Sequence, residues 1–108
     1  MRIDVSARGM DLTDSVRGYA EEKAERLPRY YDGVEQILVV VEHEGSGRFS
    51  TEFRVDAEKH DTFVGLASAG SAFASIDLSL DKVARQLKDF KERLKNSKPN
   101  TSSSGQMR

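Results

Sequence analysis

The sequence predicts an α+β fold, β-α-β-β-β-α, in which a four-stranded mixed sheet carries two helices packed on one face. Three observations point there. Apolar and polar residues alternate over Arg2–Arg8 and Phe49–Ala57, the period of a half-buried strand. In two other segments apolar residues recur every three or four positions, the period of a helix. Short polar turns join the last three strand segments, whereas a whole helix separates the first strand from the second.

Each element has its own signal. In the first strand Ile3, Val5 and Ala7 share one face, opposite Arg2, Asp4, Ser6 and Arg8. Thr13 is a good N-cap for the first helix, with Asp14 at its positive end. Val16, Tyr19, Ala20, Ala24, Leu27 and Tyr31 give its apolar face. Gly18 weakens it, and Pro28 should kink it or begin its end. Val34–Glu42 (VEQILVVVE) is a β-branched run suited to a central strand. EGSG (44–47) is a turn, Phe49–Ala57 the third strand, EKHD (58–61) a second turn and Thr62–Ser68 a fourth strand weakened by Gly65. Ser71 is the expected N-cap of the last helix. There Phe73, Ile76, Leu80, Val83, Leu87, Phe90 and Leu94 form a stripe that must be buried, against a sheet rather than in a coiled-coil seam. The first strand pairs parallel to the second through a right-handed crossover, and the far sheet face is expected to be open and polar. The domain covers 1–95; 96–108, with Pro99 and a Ser run, is expected to be a disordered tail.

Composition excludes several functions. The chain has 108 residues and no Cys, hence no disulfide, thiolate metal site or thiol nucleophile. The N-terminus lacks the apolar core of a signal peptide, and no apolar run approaches membrane length. A soluble, cytoplasmic protein is expected, with neither membrane nor small-molecule partner. His43 sits in Glu42-His43-Glu44, but on a strand it faces away from both neighbours. His60 lies in a turn sequence. No metal site, catalytic motif or cofactor is expected, and the protein is not read as an enzyme.

Net charge is −1, yet it is unevenly placed. Residues 1–77 carry 9 Lys/Arg against 15 Asp/Glu; residues 78–108 carry 8 against 3. The excess lies in the last helix, where Lys82, Arg85, Lys88, Lys91 and Lys95 flank the apolar stripe and Lys98 follows. Asp81–Arg85, Arg85–Asp89, Lys88–Glu92 and Asp89–Arg93 have ion-pair spacing, leaving Lys82 and Lys91 as cations the helix does not use itself. Such a flank is a phosphate-tracking surface or an ordinary solvated face. There is little aromatic interleaving, since Phe90 is on the buried stripe, so backbone and shape recognition is expected rather than base stacking. Tyr30 and Tyr31 could stack on RNA, but such a pair more often closes a helix against the core with one ring half exposed, and the core role is favoured.

Three motifs resemble one family. Ser6-Ala7-Arg8-Gly9-Met10 with Leu12-Thr13-Asp14-Ser15-Val16-Arg17-Gly18-Tyr19 is similar to its T-G-R-N … T-D/E-A-L-R-x-Y opening. Lys23-Ala24-Glu25-Arg26-Leu27 with Tyr30-Tyr31-Asp32 resembles K-x-x-K-L-x-x-Y-F-D. Phe73-Ala74-Ser75-Ile76-Asp77, then Asp81-Lys82-Val83-Ala84-Arg85-Gln86-Leu87 and Lys91-Glu92-Arg93-Leu94-Lys95, is the most specific match. The family is that of the ribosome hibernation promoting factors, also called ribosome-associated inhibitors or sigma-54 modulation proteins. The resemblance implies the same fold and binding to small-subunit rRNA in the mRNA and tRNA channel. It further implies inhibition of translation and storage of idle ribosomes under stress. Carried over by position, the rRNA-binding residues are Lys23, Arg26, Lys82, Arg85, Lys91 and Lys95, with Arg8 beside them; Lys88 is added from its place on the same flank. Asp89 and Glu92 stand among these cations, and the first 77 residues are acidic. The alternative is the same fold serving as a protein-interaction module that has lost rRNA binding. The chain resembles the short forms that lack a C-terminal dimerisation domain, which implies a monomer in solution.

Overall fold

The structure, a computed structural model, describes residues 1–96; the expected tail and Lys98 lie outside the described residues from 97 on. The elements are β1 (Arg2–Arg8), α1 (Asp14–Ala24), a 3₁₀ turn (Leu27–Arg29), β2 (Val34–Gly45), β3 (Arg48–Ala57), β4 (His60–Ala69) and α2 (Ala72–Asn96). The sheet order is β1-β2-β3-β4. β1 runs parallel to β2 with Val5 beside Val39, and the other two pairs are antiparallel. This is the predicted order and mixed sheet.

Alternation decides which face is covered. Ile37, Val39 and Val41 of β2 and Thr51, Phe53, Val55 and Ala57 of β3 are buried beneath the helices. The opposite face is less polar than expected, because Val64 and Leu66 of β4 lie exposed on it and Leu38 and Val40 of β2 are half-buried there, with Arg54 and Glu52 of β3 between them. An antiparallel sheet with one face on the core tolerates scattered apolar residues on the other.

The hairpins are tighter than the sequence suggests. Gly45 pairs with Arg48, leaving only Ser46-Gly47 as the turn, both with left-handed φ (53° and 72°), as a strand-matching two-residue turn requires. Ala57 pairs with His60, so His60 begins β4 instead of sitting in a turn.

Thr13 caps α1, its Oγ1 accepting from the Val16 N–H at 3.2 Å. The helix ends at Ala24, well before Tyr31. A proline ring clashes with the carbonyl four residues back, here Ala24, and offers it no N–H. The chain tightens accordingly: Arg26, Arg29 and Tyr30 donate to the carbonyls of Lys23, Arg26 and Leu27.

α2 is capped by Ser71, whose Oγ accepts from the Ala74 N–H at 3.1 Å. Its stripe is buried from Ile76 to Phe90, and Leu94 is half-buried. Phe73 departs from expectation: it is 41% exposed and meets Tyr19 of α1 edge-on at 5.1 Å. Ala72, Ser75 and Ser79 take the buried positions near it. The Ser75 and Thr51 hydroxyls bond at 2.7 Å, and Ser79 donates to the Ser75 carbonyl, so these three buried hydroxyls are all paired.

α2 also covers the free edge of β4. Lys82 Nζ donates to the Leu66 carbonyl at 2.9 Å and Gln86 Nε2 to the Val64 carbonyl at 2.7 Å. Four residues of helix and two of strand both span about 6 Å, so the donors match the edge acceptors in register. An edge strand with its carbonyls occupied is a poor template for another chain.

Candidate nucleic-acid interface

The break at Pro28 turns Arg29 and Tyr30 sideways, towards the second half of α2. There they face Lys88, Lys91, Glu92 and Lys95 across a groove of about 450 Å³. The three lysines share one flank of the helix because they are spaced three and four apart. Lys88 Nζ stands 4.8 Å from the centre of the Tyr30 ring. Among the described residues the ion pairs are Arg2–Asp4, Lys23–Asp77, Arg26–Glu22 and Arg54–Glu52. None of Arg29, Lys88, Lys91 or Lys95 takes part in them.

The ion pairs expected along α2 therefore do not form among the described residues. Exposed pairs gain little in water and must order two long side chains, so spacing alone does not ensure them. The helix cations are left free, more so than the sequence indicated. They are also divided. Lys82 turns to the β4 edge. Arg93 lines a smaller cavity of about 160 Å³ with His60, Phe63, Gln86 and Asp89. Arg85 is exposed on the outer side of α2.

Lys23 is committed elsewhere. Its ammonium lies 3.7 Å from Asp77 Oδ1 and 5.0 Å from the centre of the Tyr19 ring, with its side chain only 17% exposed. Tyr19 donates its hydroxyl to the same carboxylate at 2.7 Å. That hydrogen bond, then burial, raises the Tyr19 hydroxyl above its ordinary pKa and keeps it a donor. Asp77 thus ties α1 to the start of α2. Replacing Asp77 by Ala should destabilise the fold by about 1–2 kcal/mol, and Asp77→Asn by less, read from urea midpoints. Arg26 is half-buried, its guanidinium 4.0 Å from Glu22. Arg8 closes β1 beside Glu42 on the uncovered sheet face, away from the groove.

The structure separates the two tyrosines. Tyr31 takes the core role, donating to the Glu58 carbonyl at 3.0 Å and meeting Phe90 edge-on at 5.3 Å. Tyr30 lines the groove. The sequence assigns Arg29 no role and favours a core role for Tyr30 over stacking on RNA; the break after Ala24 brings both beside the second half of α2.

His43 is exposed and stacks on Phe49 at 4.7 Å. His60 lies nearly parallel to Phe63, with ring centres 3.8 Å apart, and meets Phe90 edge-on. No three His, Asp or Glu side chains converge among the described residues. No described helix is long and apolar enough to cross a membrane.

The sequence profile of the sigma 54 modulation protein / S30EA ribosomal protein family matches residues 3–95. The ribosome hibernation promoting factor of Azotobacter vinelandii is 32% identical over 96 residues, covering 86% of this chain and 85% of that protein. A ribosomal subunit interface protein from Coxiella burnetii shares the fold, with TM-score 0.76 at 21% identity over 85% of this chain and 99% of that one. The N-terminal domain of Thermus thermophilus Protein Y superposes with TM-score 0.74 at 31% identity, covering 83% and 99%.

Proposed function

The chain belongs to the sigma 54 modulation protein / S30EA ribosomal protein family, and on that premise we propose that it is a ribosome hibernation factor. It binds small-subunit rRNA in the channel used by mRNA and tRNA, halts translation and stores ribosomes idle in the cytoplasm, with no catalysis and no cofactor. One observation carries the reading: four cations without ion pairs among the described residues, Arg29, Lys88, Lys91 and Lys95, line one groove of an otherwise slightly acidic protein. Cations held apart from carboxylates remain available to phosphates. Arg85 and Arg26, each one turn before a groove residue, extend the contact. Lys82 and Lys23 already give one donor each to the Leu66 carbonyl and the Asp77 carboxylate and contribute with their remaining N–H groups, and Arg8 contributes from the other side of the sheet.

Catalysis has little support. The small cavity beside His60 holds a single carboxylate, Asp89, and no nucleophile, and the imidazole is stacked on Phe63.

Co-sedimentation with purified small subunits across a salt series tests the proposal. With four phosphate contacts the log–log slope should lie near −3, each contact adding about −0.7 to −0.9. Val64 and Leu66, exposed on the open sheet face, favour the second reading, a protein-interaction module. That reading requires small-subunit binding to be absent or insensitive to salt.

A further inference from the structure

The groove contains more than a phosphate track needs. A site for the backbone of a duplex requires cations alone. This one adds an aromatic ring, Tyr30, and a carboxylate, Glu92, among Arg29, Lys88, Lys91 and Lys95. Tyr30 is half-buried against the core, whereas Lys88 is exposed. The Lys88 ammonium, carried on that exposed side chain, covers one face of the Tyr30 ring at 4.8 Å from its centre. No hydrogen bond to the Tyr30 hydroxyl is formed among the described residues, in contrast to Tyr31, whose hydroxyl is held by Glu58.

We propose that this groove binds one unpaired nucleotide of an RNA single strand, its base stacked on Tyr30 and its flanking phosphates on Arg29, Lys91 and Lys95. The inference rests on the rRNA reading and refines it: the strand met here is single, with a base turned out. The exchange at Lys88 makes the step favourable. Its ammonium leaves the Tyr30 ring for an incoming phosphate, and the base takes its place. A phosphate is a better partner for that charge than a ring quadrupole, and base–aromatic stacking is itself favourable for any base. Glu92 accepts hydrogen bonds only, so it repels phosphate but suits a ribose 2′-hydroxyl or a base amino group. That places the sugar and base near Glu92 and the phosphates towards the groove ends, and favours RNA over DNA.

Fluorescence anisotropy with the full chain and a labelled RNA of about 12 nucleotides, long enough to stay paired when annealed, tests this. The comparisons are the same strand annealed to its complement and the DNA version. Wild type should bind the single-stranded RNA most tightly. Tyr30→Leu should weaken that binding about tenfold and leave duplex binding nearly unchanged, while Tyr30→Phe, which keeps the ring, should bind like wild type. Equal circular dichroism melts confirm that each variant is folded. If Tyr30→Leu binds the single strand like wild type, or wild type binds duplex equally well, the stacked base is wrong while the rRNA reading stands. If no RNA binds and small subunits fail to co-sediment, both fall together.

Discussion

Reversing Lys88, Lys91 and Lys95 together to Glu should reduce small-subunit binding by roughly a thousandfold or more, while the protein stays folded. Each lysine would lose a charge-assisted contact worth about 1.5–3 kcal/mol, and each glutamate would repel the phosphate it meets. The fold should barely respond. The three side chains are exposed and without ion pairs among the described residues. Exposed changes of this kind usually stay within about 0.5 kcal/mol each. Only Lys88 has an intramolecular contact to lose, its approach to Tyr30. Co-sedimentation and a thermal melt on the same preparations read both halves. The informative control is Lys82→Glu. Its ammonium serves the β4 edge, so reversal should affect folding and self-association more than ribosome binding. If Lys82→Glu matches the triple variant in lost binding, the contact runs along the β4 flank of α2 and the groove is not its centre.

What each flank of α2 meets is not written in the sequence, and the reason is physical. Periodicity is local, so the Ile3–Val5–Ala7 alternation, the Ile76–Phe90 stripe and the Thr13 and Ser71 caps were all legible; together they fix the order of the elements. Charge is not local. Helical spacing already puts Lys82 on one side of the apolar stripe and Lys88 on the other, but only the tertiary placement of α2 shows that the first side meets the β4 edge and the second the 3₁₀ turn. Ion-pair spacing is likewise permissive, since it brings two groups within reach without making the pair worth its ordering entropy. Phe73 and Ser75 exchanged roles for a related reason. A hydrophobicity pattern assumes large residues face the sheet, but where the helix lies closest only small ones fit, and their hydroxyls are satisfied within the protein. The motif resemblance led to the right family, but the place of Arg29 and Tyr30 beside α2 needed the break at Pro28 to be seen in space.

Gly65→Ala should destabilise the domain by about 2–3 kcal/mol, and Gly65→Val by more. In the sequence this glycine reads as a weakness of the fourth strand. In the structure it is where α2 comes closest to the sheet. A Cβ at Gly65 would lie 2.6 Å from the Ser79 carbonyl oxygen, 3.0 Å from the Val83 nitrogen and 3.1 Å from the Val83 Cβ. The first two are helix backbone, so no side chain can swing aside. The helix would have to lift, against the Ser75–Thr51 hydrogen bond, the Lys82 and Gln86 contacts to the β4 edge and the buried stripe. Gly18 provides the opposite case. It lies within α1 and nothing stands within 4 Å of an added Cβ. Gly18→Ala should therefore stabilise by about 0.5–1 kcal/mol, by removing backbone freedom from the unfolded chain. Urea denaturation followed by far-UV circular dichroism measures both on one scale. Opposite signs would locate the effect in the helix–sheet contact and not in the loss of glycine as such. A neutral Gly65→Ala would mean that α2 sits further from β4 than described. The Lys82 and Gln86 contacts to the strand edge would then have to be abandoned with it.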